Sequence, residues 1–193
     1  FQHLYAYSYN GTLQRQITSG DFDVDAYYGY DAASGCHYFR SDSTGPVNRT
    51  VCRIDAKGRV TMLSPEKGTA SASCWSPSMD YFVLNYNNAA TAPVYTLRTA
   101  SGKEVRTLVD NKAYAANWAS APKPEFFTMQ SDGYTLNGFM IKPSGFDSSR
   151  RYPVIMTQYS GPGSQEVLDR WSIGAENYFA RAGYLVVCVD GRG

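Results

Sequence analysis

The rhythm of apolar and polar positions divides the chain near residue 110. Up to about Asp110, apolar and aromatic residues alternate with polar ones in short runs, the period of half-buried β-strands. Three runs match one another: "HLYAYSYNGTLQRQIT", "TVCRIDAKGRVTMLS" and "PVYTLRTASGKEVRTLV". Each passes from an alternating strand through a turn glycine into a second short strand. The glycines are Gly11, Gly58 and Gly102, separated by 47 and then 44 positions. Between these hairpins lies a second matched pair, "DVDAYYGYDAASGCHYFRSD" and "ASASCWSPSMDYFVLNYNN", read as short strand, polar turn, aromatic-rich strand. Four strands in a period of roughly 45 residues is the signature of a β-propeller blade, which buries little alone and stacks on its neighbours. The count predicts two full blades and the outer half of a third, too few to close a ring. A β-sandwich with coincidentally similar hairpins is the alternative, and the recurrence of turn glycines beside matched aromatic strands argues against it.

From about Ala115 the pattern changes. "NWASAPKPEFF" carries two prolines among small residues, as expected of a crossing between domains. "EFFTMQ" and "TLNGFMIKP" flank Ser131-Asp132-Gly133 and predict a hairpin with an Asp-Gly turn. "YPVIMTQY" is apolar at successive positions, which predicts a strand covered on both faces by helices. Residues 171–182, "WSIGAENYFARA", bring Trp171, Ala175, Tyr178 or Phe179 and Ala182 near one helical face, with Gly183 placed to end the helix. "YLVVCVD" then predicts another buried strand. Strand, loop, helix and strand make a right-handed crossover, hence an α/β sheet.

Composition narrows the function less than the pattern does. With 193 residues, 43% of them hydrophobic and 18% charged, the chain is neither disordered nor built of membrane helices. A formal net charge of +1 without a basic cluster gives no sign of a nucleic-acid partner. Cys36, Cys52, Cys74 and Cys188 are scattered without a C-x-x-C pair, which argues against zinc and reads as buried small residues. No metal or organic cofactor is implied. Asn10-Gly11-Thr12 and Asn48-Arg49-Thr50 fit the N-glycosylation pattern, one that also arises by chance. The first residues have neither the basic start nor the apolar core of a signal peptide, and they begin as if within a strand.

The chemistry concentrates in "QYSGPGSQEVLDRW", residues 158–171, which follows the apolar strand. In open α/β sheets, ligands bind beyond the carboxyl ends of the strands. Tyr159 falls there, and Gly161-Pro162-Gly163 lets the main chain turn sharply. A tyrosine hydroxyl at that place either donates a hydrogen bond to a developing oxyanion or simply caps the sheet with its ring; the pattern alone favours neither.

Blade repeats that run into "YSGPGSQEVLDRW" and "YLVVCVDGRG" resemble the prolyl oligopeptidase family of serine peptidases, and within it dipeptidyl peptidase IV, bacterial members above all. The resemblance covers essentially the whole chain. It implies that residues 1–114 are the C-terminal blades of a β-propeller and that residues 115–193 begin an α/β-hydrolase catalytic domain. It implies release of N-terminal dipeptides with Pro or Ala in second position, through an acyl-serine. By the same resemblance Tyr159 is the oxyanion-stabilising tyrosine, Gly161 and Pro162 form the turn that positions it, and Asp190-Gly191-Arg192-Gly193 is a structural loop with an ion pair at Asp190 or Arg192. Acylaminoacyl peptidases have a histidine where Tyr159 stands, so the tyrosine points away from them. A periplasmic, secreted or cell-envelope location and a homodimer of the full-length protein are implied in the same way.

The departures are as informative. No G-x-S-x-G nucleophile elbow occurs, and neither Ser160 nor Ser164 sits in one. Only two histidines, His3 and His37, are present, both in the repeat region. The segment with the paired glutamates that bind a substrate's amino group has no counterpart. The expectation is therefore a piece of a longer enzyme, inactive by itself, holding an oxyanion donor without nucleophile, acid or base. A tripeptidyl or oligopeptidase relative and a non-catalytic propeller module are the competing readings.

Overall fold

The computed structural model describes residues 1–192, and the last residue of the Asp190–Gly193 loop lies outside them. Two compact units are present, one comprising Phe1–Asn88 and Pro93–Asn111, the other residues 89–92 and those from Lys112 onward.

The first unit holds three sheets. Strands β1 (Tyr5–Tyr7) and β2 (Leu13–Gln16) pair antiparallel. Strands β3 (Val24–Asp31), β4 (Cys36–Ser41), β5 (Thr50–Ile54) and β6 (Val60–Met62) form a four-stranded meander in sequence order. Strands β7 (Thr69–Ser73), β8 (Tyr81–Asn88), β9 (Thr91–Thr99) and β10 (Glu104–Val109) form a second one. One half-set and two four-stranded sets is the pattern expected from the repeat, and Gly11, Gly58 and Gly102 sit in the β1–β2, β5–β6 and β9–β10 turns.

Successive side chains of a strand point to opposite faces, and in β4 both faces are buried. Cys36 and Tyr38 join Val51, Leu63, Ala70, Ala72, Phe82 and Leu84 in a core shared with the β7–β10 sheet. Phe39 faces the other way, into a cluster with Val24, Cys52 and Ile54 that Leu4, Ile17 and Phe22 cover beside β1–β2. Phe39 and Phe82 have no exposed surface, and each such ring contributes about 1.5–3 kcal/mol relative to an exposed one. Trp75 stacks on Phe82 with centroids 4.5 Å apart and lies 4.6 Å from Tyr38. Strands β2 and β10 are exposed along their whole length, as befits outer strands.

Polar groups join the sheets where side-chain packing ends. Arg49 pairs with Thr69 in an isolated parallel bridge, with Arg49 N donating to Gly68 O at 2.9 Å and Ala70 N to Arg49 O at 2.8 Å. Asp25 accepts from both Arg40 and Arg49 at 2.8 Å. Asn48, in the second glycosylation-like triplet, is occupied: its Oδ1 accepts from Gly68 N at 2.9 Å and its Nδ2 donates to Thr44 O at 3.2 Å. Asn10, in the first, lies in the exposed β1–β2 turn. His3 contacts Gly20 O and Thr18 Oγ1, and His37 the Tyr27 hydroxyl, so both histidines serve local structure. Cys36, Cys52 and Cys188 are buried as expected; Cys74 is exposed, because it occupies a turn position with φ of 51° between β7 and β8.

The second unit contains a short helix α1 (Lys112–Ala116) and a mixed sheet. Strands β11 (Pro124–Ser131) and β12 (Tyr134–Ile141) form the expected hairpin, with Asp132 and Gly133 both at positive φ. Strands β13 (Val154–Thr157) and β14 (Leu185–Val189) pair parallel across helix α2 (Ala175–Arg181), and the spatial order is β11-β12-β14-β13. Of the doubly covered α/β sheet expected here, the described residues contain one parallel pair and one helix of seven residues.

Two sequence expectations fail in detail. The helix starts at Ala175, not at Trp171, because Gly174 is extended at its N-cap and donates to Asn177 Oδ1 at 2.9 Å, starting the helical turn there. Its inward residues are Asn177 and Ala180, whereas Tyr178 is 70% exposed. β13 is not covered on both faces. Ile155 and Thr157 share a face with Val186 and Cys188, while Val154 and Met156, on the other, remain 59% and 58% exposed. Among the described residues no helix is long and apolar enough to cross a membrane.

Two measurements check this account. Gly68 has φ of +93°, and a Cβ there would stand 2.7 Å from Asn87 O, whereas one at Gly58, φ +81°, meets nothing within 4 Å. Gly68→Ala should cost about 2–4 kcal/mol and Gly58→Ala about 1–2, the left-handed strain alone; equal shifts in denaturant midpoint would dismiss the contact. The second concerns acid. Ser34 Oγ and Ala33 N donate to Asp31, and Arg59 N and Lys57 N to Asp55, holding both carboxyls below their ordinary 3.8. The stabilisation is complete above that value and is lost as pH falls through the depressed ones, since the unfolded chain takes up protons first. Unfolding midpoints followed from pH 5 to about 2 should fall less steeply in an Asp31→Asn/Asp55→Asn variant, and identical slopes would contradict the assignment.

Candidate functional site

Tyr159 follows β13 at the C-terminal end of the parallel pair. Gln158 and Tyr159, together with Thr157 and Cys188 at the strand ends, line a cleft of about 290 Å³. Its apolar floor is Pro124, Phe139 and Ile141 from the β11–β12 hairpin. Its polar wall comes from Glu166, Arg170 and Ser172 of the long loop and from Glu176 of α2. A cleft with an apolar floor and a few convergent polar groups is the usual form of a small-ligand site.

The turn after Tyr159 is tightly made. Gly163 has φ of +69°, the third-position geometry of a type II turn with Pro162 before it, and Ser164 N donates to Gly161 O at 3.1 Å. Gly161 is required for a different reason: a Cβ there would lie 3.0 Å from Tyr159 Cε1, so the phenol ring rests over bare backbone. Ser164 Oγ is 2.7 Å from Tyr159 O and 2.8 Å from Gly161 O, its hydrogen shared between two carbonyls. The Tyr159 ring itself is 67% exposed.

Beyond the turn, Asp190 fixes the loop. Its two carboxylate oxygens accept from Glu166 N at 2.8 Å and Val167 N at 3.0 Å, while its own N–H donates to Asn137 O at 3.0 Å. A carboxylate so placed satisfies two buried-edge donors with charge-assisted bonds. The ion pair expected for the Asp190–Gly193 loop is replaced by these bonds at Asp190 and by a guanidinium resting 5.3 Å from the Tyr134 ring at Arg192. Asn177 fixes the opposite wall, donating to Pro122 O at 2.8 Å from within the unit.

Electrostatics exclude one candidate nucleophile. Burial pushes the Cys188 thiol up, and the carboxylates of Asp190, Glu166 and Glu176 push the same way against a hydrogen bond with Thr157. A thiol so placed stays protonated and inert. Ser160 accepts from Gln158 Nε2 and lies toward Gly191, with no base beside it. The cleft therefore offers a tyrosine hydroxyl and hydrogen-bonding groups, but no activated nucleophile among the described residues. Pattern reading found Tyr159, Gly161 and Pro162. It missed the holding roles of Ser164 and Asp190, because the partners of Asp190 lie more than twenty positions away in the chain.

Comparison with known proteins agrees along the chain. Residues 1–93 match the family described as "Dipeptidyl peptidase IV (DPP IV) N-terminal region". Probable dipeptidyl-aminopeptidase B of Chaetomium globosum is 32% identical over 187 residues, covering 92% of this chain and 20% of that protein. The protein of the same description from Sclerotinia sclerotiorum is 33% identical over 187 residues, with the same coverage of 92% and 20%. The crystal structure of Porphyromonas gingivalis dipeptidyl peptidase 4 superposes with a TM-score of 0.91 at 44% identity, over 98% of this chain and 27% of that one. The chain thus spans about a fifth of the length of the fungal relatives it matches. By sequence and by backbone, over nearly its whole length, it belongs with the dipeptidyl peptidase IV-like peptidases.

Proposed function

We propose that the full-length protein is a serine exopeptidase of the prolyl oligopeptidase type, releasing dipeptides from peptides with Pro or Ala second from the N-terminus. In this reading the first unit supplies blades of a β-propeller, supported by its succession of four-stranded meanders with both faces of β4 buried. The second unit supplies the start of an α/β-hydrolase domain, supported by the parallel β13–β14 pair joined through α2. The observation that carries the functional reading is Tyr159, placed where strand ends open onto a cleft and held from below by its own turn.

The mechanism assigned to this chain is limited to what its residues can do. A serine outside residues 1–193 attacks the scissile carbonyl, whose oxygen gains negative charge as the tetrahedral species forms. The Tyr159 hydroxyl donates a hydrogen bond to that oxygen. The bond strengthens as charge appears, so it lowers the barrier more than it strengthens binding. Gly161 and Pro162 set the direction of the phenol. Collapse of the tetrahedral species expels the amine and leaves an acyl-serine, which water then hydrolyses. A periplasmic, secreted or envelope-associated location and a homodimer complete the proposal.

With the full-length enzyme and a Gly-Pro chromogenic substrate, Tyr159→Phe should lower kcat on the order of 100- to 1000-fold with little change in KM. Unchanged kcat would return Tyr159 to a sheet-capping role. Residues 1–193 alone should give no turnover, and a fluorophosphonate should label one serine outside them; absence of any adduct on the folded full-length protein would point to a non-catalytic binding module.

A further inference from the structure

We propose that Ser164 is the positioning residue for Tyr159, an inference that rests on the reading of Tyr159 as an oxyanion donor. Catalysis by a preorganised donor depends on direction: a misplacement of about 1 Å can cost on the order of 100-fold. The Tyr159 hydroxyl sits at the end of a long side chain, so a small rotation of its backbone moves it far. Something must therefore hold that backbone, and β13 does not, since the strand ends at Thr157.

Ser164 is built to do this. It is half-buried, and its single hydroxyl hydrogen is shared between Tyr159 O at 2.7 Å and Gly161 O at 2.8 Å. Gly161 O has a second donor in Ser164 N at 3.1 Å. Removing the hydroxyl thus leaves the Gly161 carbonyl satisfied and frees the Tyr159 carbonyl, the one attached to the functional residue. The ring is already pressed against Gly161, where even a Cβ would stand 3.0 Å from Cε1. The peptide at Tyr159 and the ring it carries are then held at two points, by the Ser164 hydroxyl and by the glycine surface. Ser160 does not share the task, because its hydroxyl is engaged with Gln158. Ser164 touches no reacting atom; it acts through Tyr159.

A double-mutant cycle in the full-length enzyme tests this. Ser164→Ala should lower kcat about tenfold with KM within about twofold, the split expected when a transition-state contact is misdirected. Ser164→Thr keeps the hydroxyl and should restore kcat to within about twofold, and Ser164→Cys, a weak donor, should fall between. In a Tyr159→Phe background Ser164→Ala should change kcat by less than about twofold, because the hydroxyl it directs is gone. An equal loss in both backgrounds would overturn the proposal by showing that Ser164 acts elsewhere. Wild-type kcat in Ser164→Ala, with Tyr159→Phe impaired, would overturn it while leaving the oxyanion reading intact. Wild-type kcat in Tyr159→Phe would remove both. Should Ser164→Ala fail to fold, as judged by its unfolding temperature, the order of Thr above Cys decides, and equal kcat in those two variants overturns the proposal.

Discussion

A four-stranded sheet cannot bury its own two faces, and that constraint governs the first unit. β4 shows it most directly. Tyr38 and Phe39 are adjacent in sequence and enter different cores, one shared with the β7–β10 sheet and one closed by the residues beside β1–β2. No face of this strand is left for solvent, so polar groups are displaced to its ends and to the turns. There they do the joining that side chains cannot, as when Asp25 gathers Arg40 and Arg49 and when Asn48 accepts from Gly68. Sequence repetition follows from the same constraint, because a sheet that must fit between two others has little freedom in length or pattern.

The second unit solves a different problem with different means. Its cleft depends on a long irregular loop, and irregular backbone near a sheet must find hydrogen-bond partners. Asp190 supplies two acceptors to the loop, Ser164 supplies a donor within the turn, and Asn177 reaches Pro122 on the opposite wall. Each of these is a short polar side chain with more than one bond. Rigid placement of Tyr159 is thus achieved with few apolar contacts at the loop itself.

Much of this was legible in the sequence, and the limits have physical causes. Strand pairs and turn glycines are local, so a period of two and a recurring glycine disclosed every hairpin of the first unit and the Asp132-Gly133 turn. Tyr159 was legible because its neighbours Gly161 and Pro162 mark a turn after an apolar strand. The extent of α2 was not, because Trp171 and Ala175 fit a helical face equally well while the start is set by Gly174 and Asn177. The open face of β13 was hidden too: an apolar run reads the same whether Val154 and Met156 are covered or bare. Asp190 looked like half of an ion pair because a carboxylate's backbone partners leave no trace in the local pattern.

The three tryptophans are distributed in a way that gives the molecule two separate optical reporters. Trp75 lies in the first unit, stacked on Phe82, with its indole N–H buried and without a hydrogen-bond partner among the described residues. Trp171 and Trp118 lie in the second, each under a cation, the Lys123 ammonium at 4.3 Å and the Arg181 guanidinium at 5.9 Å. An indole surrounded by rings and an indole facing a positive charge have different excited-state environments. Emission from Trp75 therefore tracks the separation of two sheets, while the other pair tracks the loop wall, and loosening of one unit is distinguishable by colour from loosening of the other.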